Sequence, residues 1–245
     1  LPLSIVIPAY NEAQRLPSTL DAIFAWLDSS ACPDAARDSE VLVVDDGSTD
    51  GTAALVERRI AREPRLRMIR NPGNRGKGYA VRHGMLKAHH EWILFSDADL
   101  SSPITEFPRL LAAAQDKNAA VAIGSRALDR SLIGVHQAPW REWSGIVFNR
   151  IMRSITGLPF ADTQCGFKLY RRDAAQRVFP LQRLDGFSFD VEDLFITKSL
   201  GIPAVEVPVR WNNVEGTKVS MAQGIASFLD LLLIRWYGIR GDYSR

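Results

Sequence analysis

The sequence predicts an α/β protein, with a mostly parallel central sheet flanked by helices in a single domain. Three observations carry this. Through the first half, short runs rich in Val, Ile and Leu alternate with segments of helical spacing. Those runs are apolar throughout rather than every second residue, as strands covered on both faces are. The chain has 245 residues, 46% of them hydrophobic and 24% charged, enough for one sizeable core.

Residues 3–9 (LSIVIPA) read as a buried strand. A helix over 16–27 follows, with Pro17 near its start, where a missing N–H is tolerated. Residues 40–46 (EVLVVDD) give the second strand, 49–62 a helix after a turn, 66–70 the third strand and 78–90 another helix. Residues 91–97 (EWILFSD) are the fourth strand, 105–116 a helix and 120–125 the fifth strand. The second half is less regular. Trp143, Val147 and Ile151 set a helical spacing over 140–156, and 165–170 fits a strand. Residues 191–200 form a helix stopped by Gly201 and Pro203. Residues 204–211 alternate as a strand does, and 221–237 is a final helix. No repeat or linker divides the chain.

Net charge is only +2, so bulk attraction to nucleic acid is not implied. Cys32 and Cys165 lie far apart and match no disulfide framework or zinc spacing, which fits a reducing compartment. No segment is apolar over the roughly 20 residues that a bilayer span needs. The nearest, 225–237, is interrupted by Asp230 and Arg235. It is expected to touch a membrane surface or to pack as core.

In parallel α/β sheets, ligands sit beyond the carboxyl ends of the strands. Acidic residues gather there: Glu12 after the first strand, Asp45 and Asp46 at the second, Asp97 and Asp99 at the fourth. So many carboxylates in one crevice require a cation or hydrogen-bond donors. Asp97 and Asp99 are alternate residues of an extended segment and can address one ion. Oxygen ligands with open positions suit Mg²⁺ or Mn²⁺ shared with substrate phosphates. No GxGxxG follows the first strand and no Walker loop is present, which argues against a dinucleotide oxidoreductase and a P-loop enzyme. The loop NRGKG at 74–78 lets backbone approach a phosphate, and Lys77 reads equally as a phosphate ligand or a solvated lysine. Asp190 and Glu192 fit sugar-orienting carboxylates, and fit better as first-turn acids of their helix. Cys165 reads as a small buried residue rather than a nucleophile. Trp and Phe residues between 140 and 160 read as core ahead of a lipid groove.

The motifs PAYNE at 8–12, DDGSTDGT at 45–52, NRGKG at 74–78, DADL at 97–100 and GSR at 124–126 resemble the inverting family-2 glycosyltransferases of GT-A fold. Within that family, DTQCGFKLY at 162–170 and GTKV at 216–219 are similar to the dolichyl-phosphate glucosyltransferases and other polyprenyl-phosphate glycosyltransferases. The resemblance implies that residues 1–126 bind a nucleotide sugar and residues 127–245 bind an acceptor. It implies that Pro8, Tyr10, Glu12, Val44 and Asp46 hold the base and ribose, and that Asp97 and Asp99 hold metal and diphosphate. It also implies that Arg126 and Lys218 act as basic groups at the diphosphate or the acceptor phosphate. Ser101 and Asn212 stand where mannose-transferring relatives often carry Gln and Arg. UDP-glucose is therefore the expected donor, ahead of GDP-mannose, with a polyprenyl phosphate as acceptor and Mg²⁺ or Mn²⁺ as cofactor. A lipid acceptor implies a peripheral position at the cytoplasmic face of a membrane. A non-lipid acceptor is the remaining alternative within the family.

Overall fold

The structure is a computed structural model that describes residues 2–33, 36–136, 139–214 and 221–244, without the side chains at 139–142, 144, 148 and 221–227. Lys218 and the rest of the 216–219 motif lie outside the described residues.

The first half is a β–α alternation: β1 (Leu3–Ala9), α1 (Leu16–Leu27), β2 (Glu40–Asp45), α2 (Thr52–Ile60), β3 (Leu66–Arg70), α3 (Lys77–Lys87), β4 (Trp92–Ser96), α4 (Phe107–Asp116) and β5 (Val121–Ser125). The second half carries β6 (Ile133–Val135), α5 (Pro139–Thr156), β7 (Phe167–Arg171), α6 (Arg172–Val178), α7 (Phe189–Ser199), β8 (Ala204–Pro208), β9 (Trp211–Asn212) and α8 (Met221–Ile239). Seven strands make the central sheet in the order β3-β2-β1-β4-β7-β5-β8, and β6 pairs with β9 in a second, two-stranded sheet.

Alternation along each strand sorts side chains to two cores. Leu3, Ile5 and Ile7 of β1 and Val41 and Val43 of β2 pack on one face with α1 and α4. Val6, Leu42, Val44, Ile93 and Phe95 pack on the other with α3, α6 and α7. Both faces are covered, which is why the strands read as continuous apolar runs. α3 lies close on the sheet because Gly84 has no side chain: a Cβ there would stand 2.4 Å from Val6 Cγ1 and 2.8 Å from Val44 Cγ2.

Three features depart from the sequence reading. β7 runs antiparallel between β4 and β5 and interrupts the parallel order. Residues 172–178 are a helix, α6, that carries no strong periodic signal. The expected strand over 204–211 divides, since β8 ends at Pro208 and Trp211 joins β6 instead. Proline has no N–H for the ladder, so a break there follows from the chemistry.

Candidate active site

β1 is the switch point of the sheet, with β2 on one side and β4 on the other, all parallel. The crevice beyond their carboxyl ends is the expected ligand position. Pro8 and Val44 stand opposite each other in register, one residue before Ala9 and Asp45. Both are buried, and Val44 packs under Gly84, so only its main chain can face a ligand. Tyr10 is 38% exposed at the mouth.

The loops after β1 and β2 are knitted together. Asn11 N–H donates to Ser48 Oγ at 2.9 Å, Thr49 N–H to Asn11 Oδ1 at 2.8 Å, and Glu12 N–H to Thr52 Oγ1 at 2.9 Å. Glu12 accepts a two-pronged bond from Arg15, at 2.7 and 2.8 Å. Asp45 accepts from Ser48 N–H at 3.2 Å and stands 3.7 Å from Arg70. Asp46 is buried and accepts from Asn71 Nδ2 at 2.7 Å, from Arg75 N–H at 3.1 Å and from Gly76 N–H at 2.8 Å. In this state its carboxylate therefore orders the 71–76 loop that carries Lys77 to the start of α3.

Lys77 reaches into the crevice, and its Nζ lies 2.7 Å from Asp97 Oδ1. The contact is an ion pair to a buried carboxylate oxygen. Burial pushes the Asp97 carboxyl above its usual range, with Asp99 adding to the rise and Lys77 opposing it. Burial acts to lower the Lys77 ammonium, yet Asp97, Asp190 and Asp99 outweigh it and hold it above the ordinary lysine value. Gly166 lines the other side, where a Cβ would stand 2.0 Å from Asp97 Oδ2. Its carbonyl accepts from Asp97 N–H at 3.0 Å. Asp99 Oδ1 accepts from Ser101 N–H at 2.9 Å.

These residues fit a divalent cation. The donors are hard carboxylate oxygens, one of them a buried oxygen. Among the described residues no group of three or more His, Cys, Asp or Glu gathers at one point. Two carboxylates leave positions for phosphate oxygens and water, the arrangement that Mg²⁺ and Mn²⁺ favour.

Arg126, at the end of β5, is held by Asp162 through Nε at 2.6 Å and Nη2 at 2.8 Å, and its N–H also donates to Asp162 at 3.0 Å. Trp211 lies beneath the guanidinium, with the ring centroid 5.4 Å away. Burial works to raise the Asp162 carboxyl, but Arg126 outweighs it and keeps it below its usual range. Glu206 in turn accepts from Ala161 and Asp162 N–H, both at 2.8 Å.

Sequence reasoning gave no role to Asp162 or Lys168, and ranked Asp190 as a helix-start acid. Asp190 does open α7, but it is buried against Lys168. Lys168 is fully buried on β7, 3.6 Å from Asp193, and Tyr170 O–H donates to Asp193 at 2.8 Å. Glu192 is structural: it accepts from Arg183 and Leu184 N–H and from Tyr243 O–H. A signal for Lys168 existed, since FKLY puts a cation at an inward position of an otherwise apolar strand. Cys165 is buried, its thiol pushed up to about 12 chiefly by burial, as an inert cysteine is.

An α/β sheet with carboxylates and a lysine gathered at its switch point agrees with a glycosyltransferase of GT-A fold. The model of glycosyl transferase family 2 matches residues 4–179, and the chain belongs to that family. A dolichyl-phosphate beta-glucosyltransferase of Trichomonas vaginalis is 36% identical over 239 residues, covering 96% of this chain and 71% of that protein. The Homo sapiens protein of the same description is 35% identical over 250 residues, covering 98% of this chain and 77% of that one. The crystal structure of glucosyl-3-phosphoglycerate synthase from Mycobacterium tuberculosis with Mn²⁺, uridine diphosphate and phosphoglyceric acid has the same fold. Its TM-score is 0.66 at 20% identity, over 96% of this chain and 78% of that one.

Proposed function

We propose that this chain moves glucose from UDP-glucose to dolichyl phosphate with inversion at the anomeric carbon. One observation carries the reading. A family 2 chain whose relatives bear the dolichyl-phosphate glucosyltransferase description gathers Asp97, Asp99 and Lys77 at the switch point of its sheet.

A phosphate acceptor is already anionic at neutral pH and needs no strong general base. Its oxygen attacks C1 of glucose, the bond from C1 to the diphosphate oxygen breaks, and the electron pair leaves with UDP. The protein's task is to align the two and to meet the charge that develops. In this reading Pro8, Tyr10, Glu12, Val44 and Asp46 seat the base and ribose, Val44 through its main chain. Lys77 meets the diphosphate, and Arg126, fixed by Asp162, meets a phosphate. Lys218 is assigned to the acceptor phosphate by its motif alone. A divalent cation held by Asp97 and Asp99 would supply neutralisation of the diphosphate charge. Residues 1–126 then serve the donor and residues 127–245 the acceptor.

Presenting radiolabelled UDP-glucose or GDP-mannose with dolichyl phosphate and Mn²⁺ or Mg²⁺ tests this. Label is expected in the organic phase from UDP-glucose, with the β anomer by NMR. Equal transfer from GDP-mannose would remove the glucose reading, and no lipid product from either donor would remove the whole proposal.

A lipid acceptor requires contact with a bilayer surface. No helix among the described residues is long and apolar enough to cross a membrane. α8 buries Leu231 and Ile234 while Leu229 is 62% exposed and Trp236 54%, and α5, packed on α8, leaves Trp143 69% exposed. Apolar faces of this kind bind the headgroup boundary. The cytoplasmic face is part of this reading, since two cysteines far apart in sequence and without a disulfide framework suit a reducing compartment. Vesicle flotation is expected to fall when Leu229 and Trp236 are both changed to Ser. Undiminished flotation of that variant would discard the face as the membrane contact.

A further inference from the structure

The crevice already contains a cation, the ammonium of Lys77. Its Nζ stands 2.7 Å from Asp97 Oδ1 with side-chain exposures of 24% and 30%, so the pair borders solvent. An ion pair at a solvent edge can exchange one partner for another at small cost. The backbone leading to Lys77 is fixed by Asp46, which holds the N–H groups of Arg75 and Gly76. Any movement therefore belongs to the lysine's flexible stem. Around the ammonium lie the faces of Phe95, Phe187 and Phe189, with centroids 5.6, 5.9 and 6.0 Å away. These rings add cation–π attraction to the ammonium where it stands.

We infer that Lys77 is a built-in counter-cation that competes with the divalent ion for Asp97. With Lys77 in place, the carboxylate is neutralised and a metal must displace the ammonium to bind. A nucleoside diphosphate gives the displaced ammonium a new partner, so metal and diphosphate each favour the other. The consequence is a chain that resists metal until donor arrives. This inference rests on the metal reading of Asp97 and Asp99 given above.

The test is Mn²⁺ binding to the whole chain, followed by electron paramagnetic resonance of the free ion, with and without UDP. Without nucleotide, Lys77→Gln is expected to bind Mn²⁺ roughly tenfold more tightly than the unaltered chain, a typical size for coupled sites. Lys77→Arg, which keeps the charge, is expected to bind it as weakly as the unaltered chain. Mn²⁺ affinity in Lys77→Gln equal to or below that of the unaltered chain overturns the inference, while binding in the presence of UDP leaves the metal reading standing. If the unaltered chain binds no Mn²⁺ even with UDP, the metal reading fails and this one with it. Should Lys77→Gln not fold, the unaltered chain supplies a second readout. Mg²⁺ with UDP is expected to shift the ¹³Cε resonance of Lys77 as the ammonium leaves Asp97, and a resonance that stays in place overturns the displacement.

Discussion

Two lysines flank one aromatic ring. Lys77 Nζ lies 6.0 Å from the Phe189 centroid and Lys168 Nζ lies 5.6 Å from it. Each faces aspartates, yet the surroundings differ. Lys168 is fully buried between Asp190 and Asp193, with Tyr170 completing the cluster. Lys77 borders solvent and pairs with the carboxylate of Asp97, itself partly exposed. A charge that is buried and enclosed by partners cannot move without exposing those partners to apolar surroundings, whereas a charge at a solvent edge can exchange one partner for another. The first kind fixes a site and the second can take part in its chemistry.

The largest test of that contrast is on stability. Lys168→Met leaves Asp190 and Asp193 buried without their cation, and breaking such a buried pair costs about 3–5 kcal/mol. At roughly 2–4 °C per kcal/mol for a chain of this size, the melting temperature should fall by about 6–20 °C. Lys77→Met should cost no more than about 1 kcal/mol, the range of pairs open to solvent. Equal losses in the two variants, read by chemical denaturation, would erase the distinction.

Next in size is Asp99→Asn. The amide oxygen can still accept from Ser101 N–H, so the turn after β4 should survive and the melting temperature should hold. Transfer should drop on the order of 10²–10³-fold, as losing one oriented electrostatic group from an active site does. Chelation by EDTA should have a comparable effect that Mn²⁺ reverses. Activity undiminished in EDTA would place Asp99 among the fixed, structural groups instead.

Asp162 is of the fixed kind, although it borders the site. Its carboxyl is held below its ordinary value of 3.8 because Arg126 outweighs burial. A depressed acid stabilises the fold above its unfolded pKa, and the contribution is lost as pH falls through the folded value. Asp162→Asn should therefore cost about 1.5–3 kcal/mol at pH 7, the scale of hydrogen bonds to charged groups. Its stability should also vary less with pH below 3.8 than that of the unaltered chain. Parallel acid-unfolding curves would show that Asp162 does not couple to the fold in this way.

The same contrast explains what could be read from the sequence. The strands β1 to β5 were legible because each is an apolar run closed by turn residues. Helix α1 was legible at both ends, since Pro17 marks its start and Leu27 ends its apolar face. The Asp97 and Asp99 pair was legible because both lie within three residues of one another. The partners of the fixed charges were not. Asp162 meets Arg126 across 36 positions and Lys168 meets Asp190 across 22, and no local pattern announces such pairs. Nor does alternation reveal strand direction, so β7 gave no sign of running antiparallel. α6 has only seven residues, RDAAQRV, too few to set a period.

Cys165 supplies the smallest expected effect and a check on how rigid the fixed region is. It lies in the segment leading into β7, with its Sγ 3.7 Å from Ser102 Oγ and 3.3 Å from where a Cβ on Gly124 would stand. Its thiol is pushed up to about 12, so at pH 8 almost none is thiolate. Burial also shields it from reagents, and alkylation requires the thiolate to meet the reagent. Iodoacetamide at pH 8 should therefore leave Cys165 unmodified in the folded chain and label it once the chain is unfolded. Cys165→Ala should lower stability by about 1 kcal/mol through the small cavity it leaves, and keep transfer within about twofold of the unaltered chain. If Cys165 is labelled in the folded chain as fast as an exposed thiol, the segment between Asp162 and Lys168 opens readily. Arg126 and Lys168 would then be held by a region as changeable as the one around Lys77, and the contrast between the two lysines would not stand.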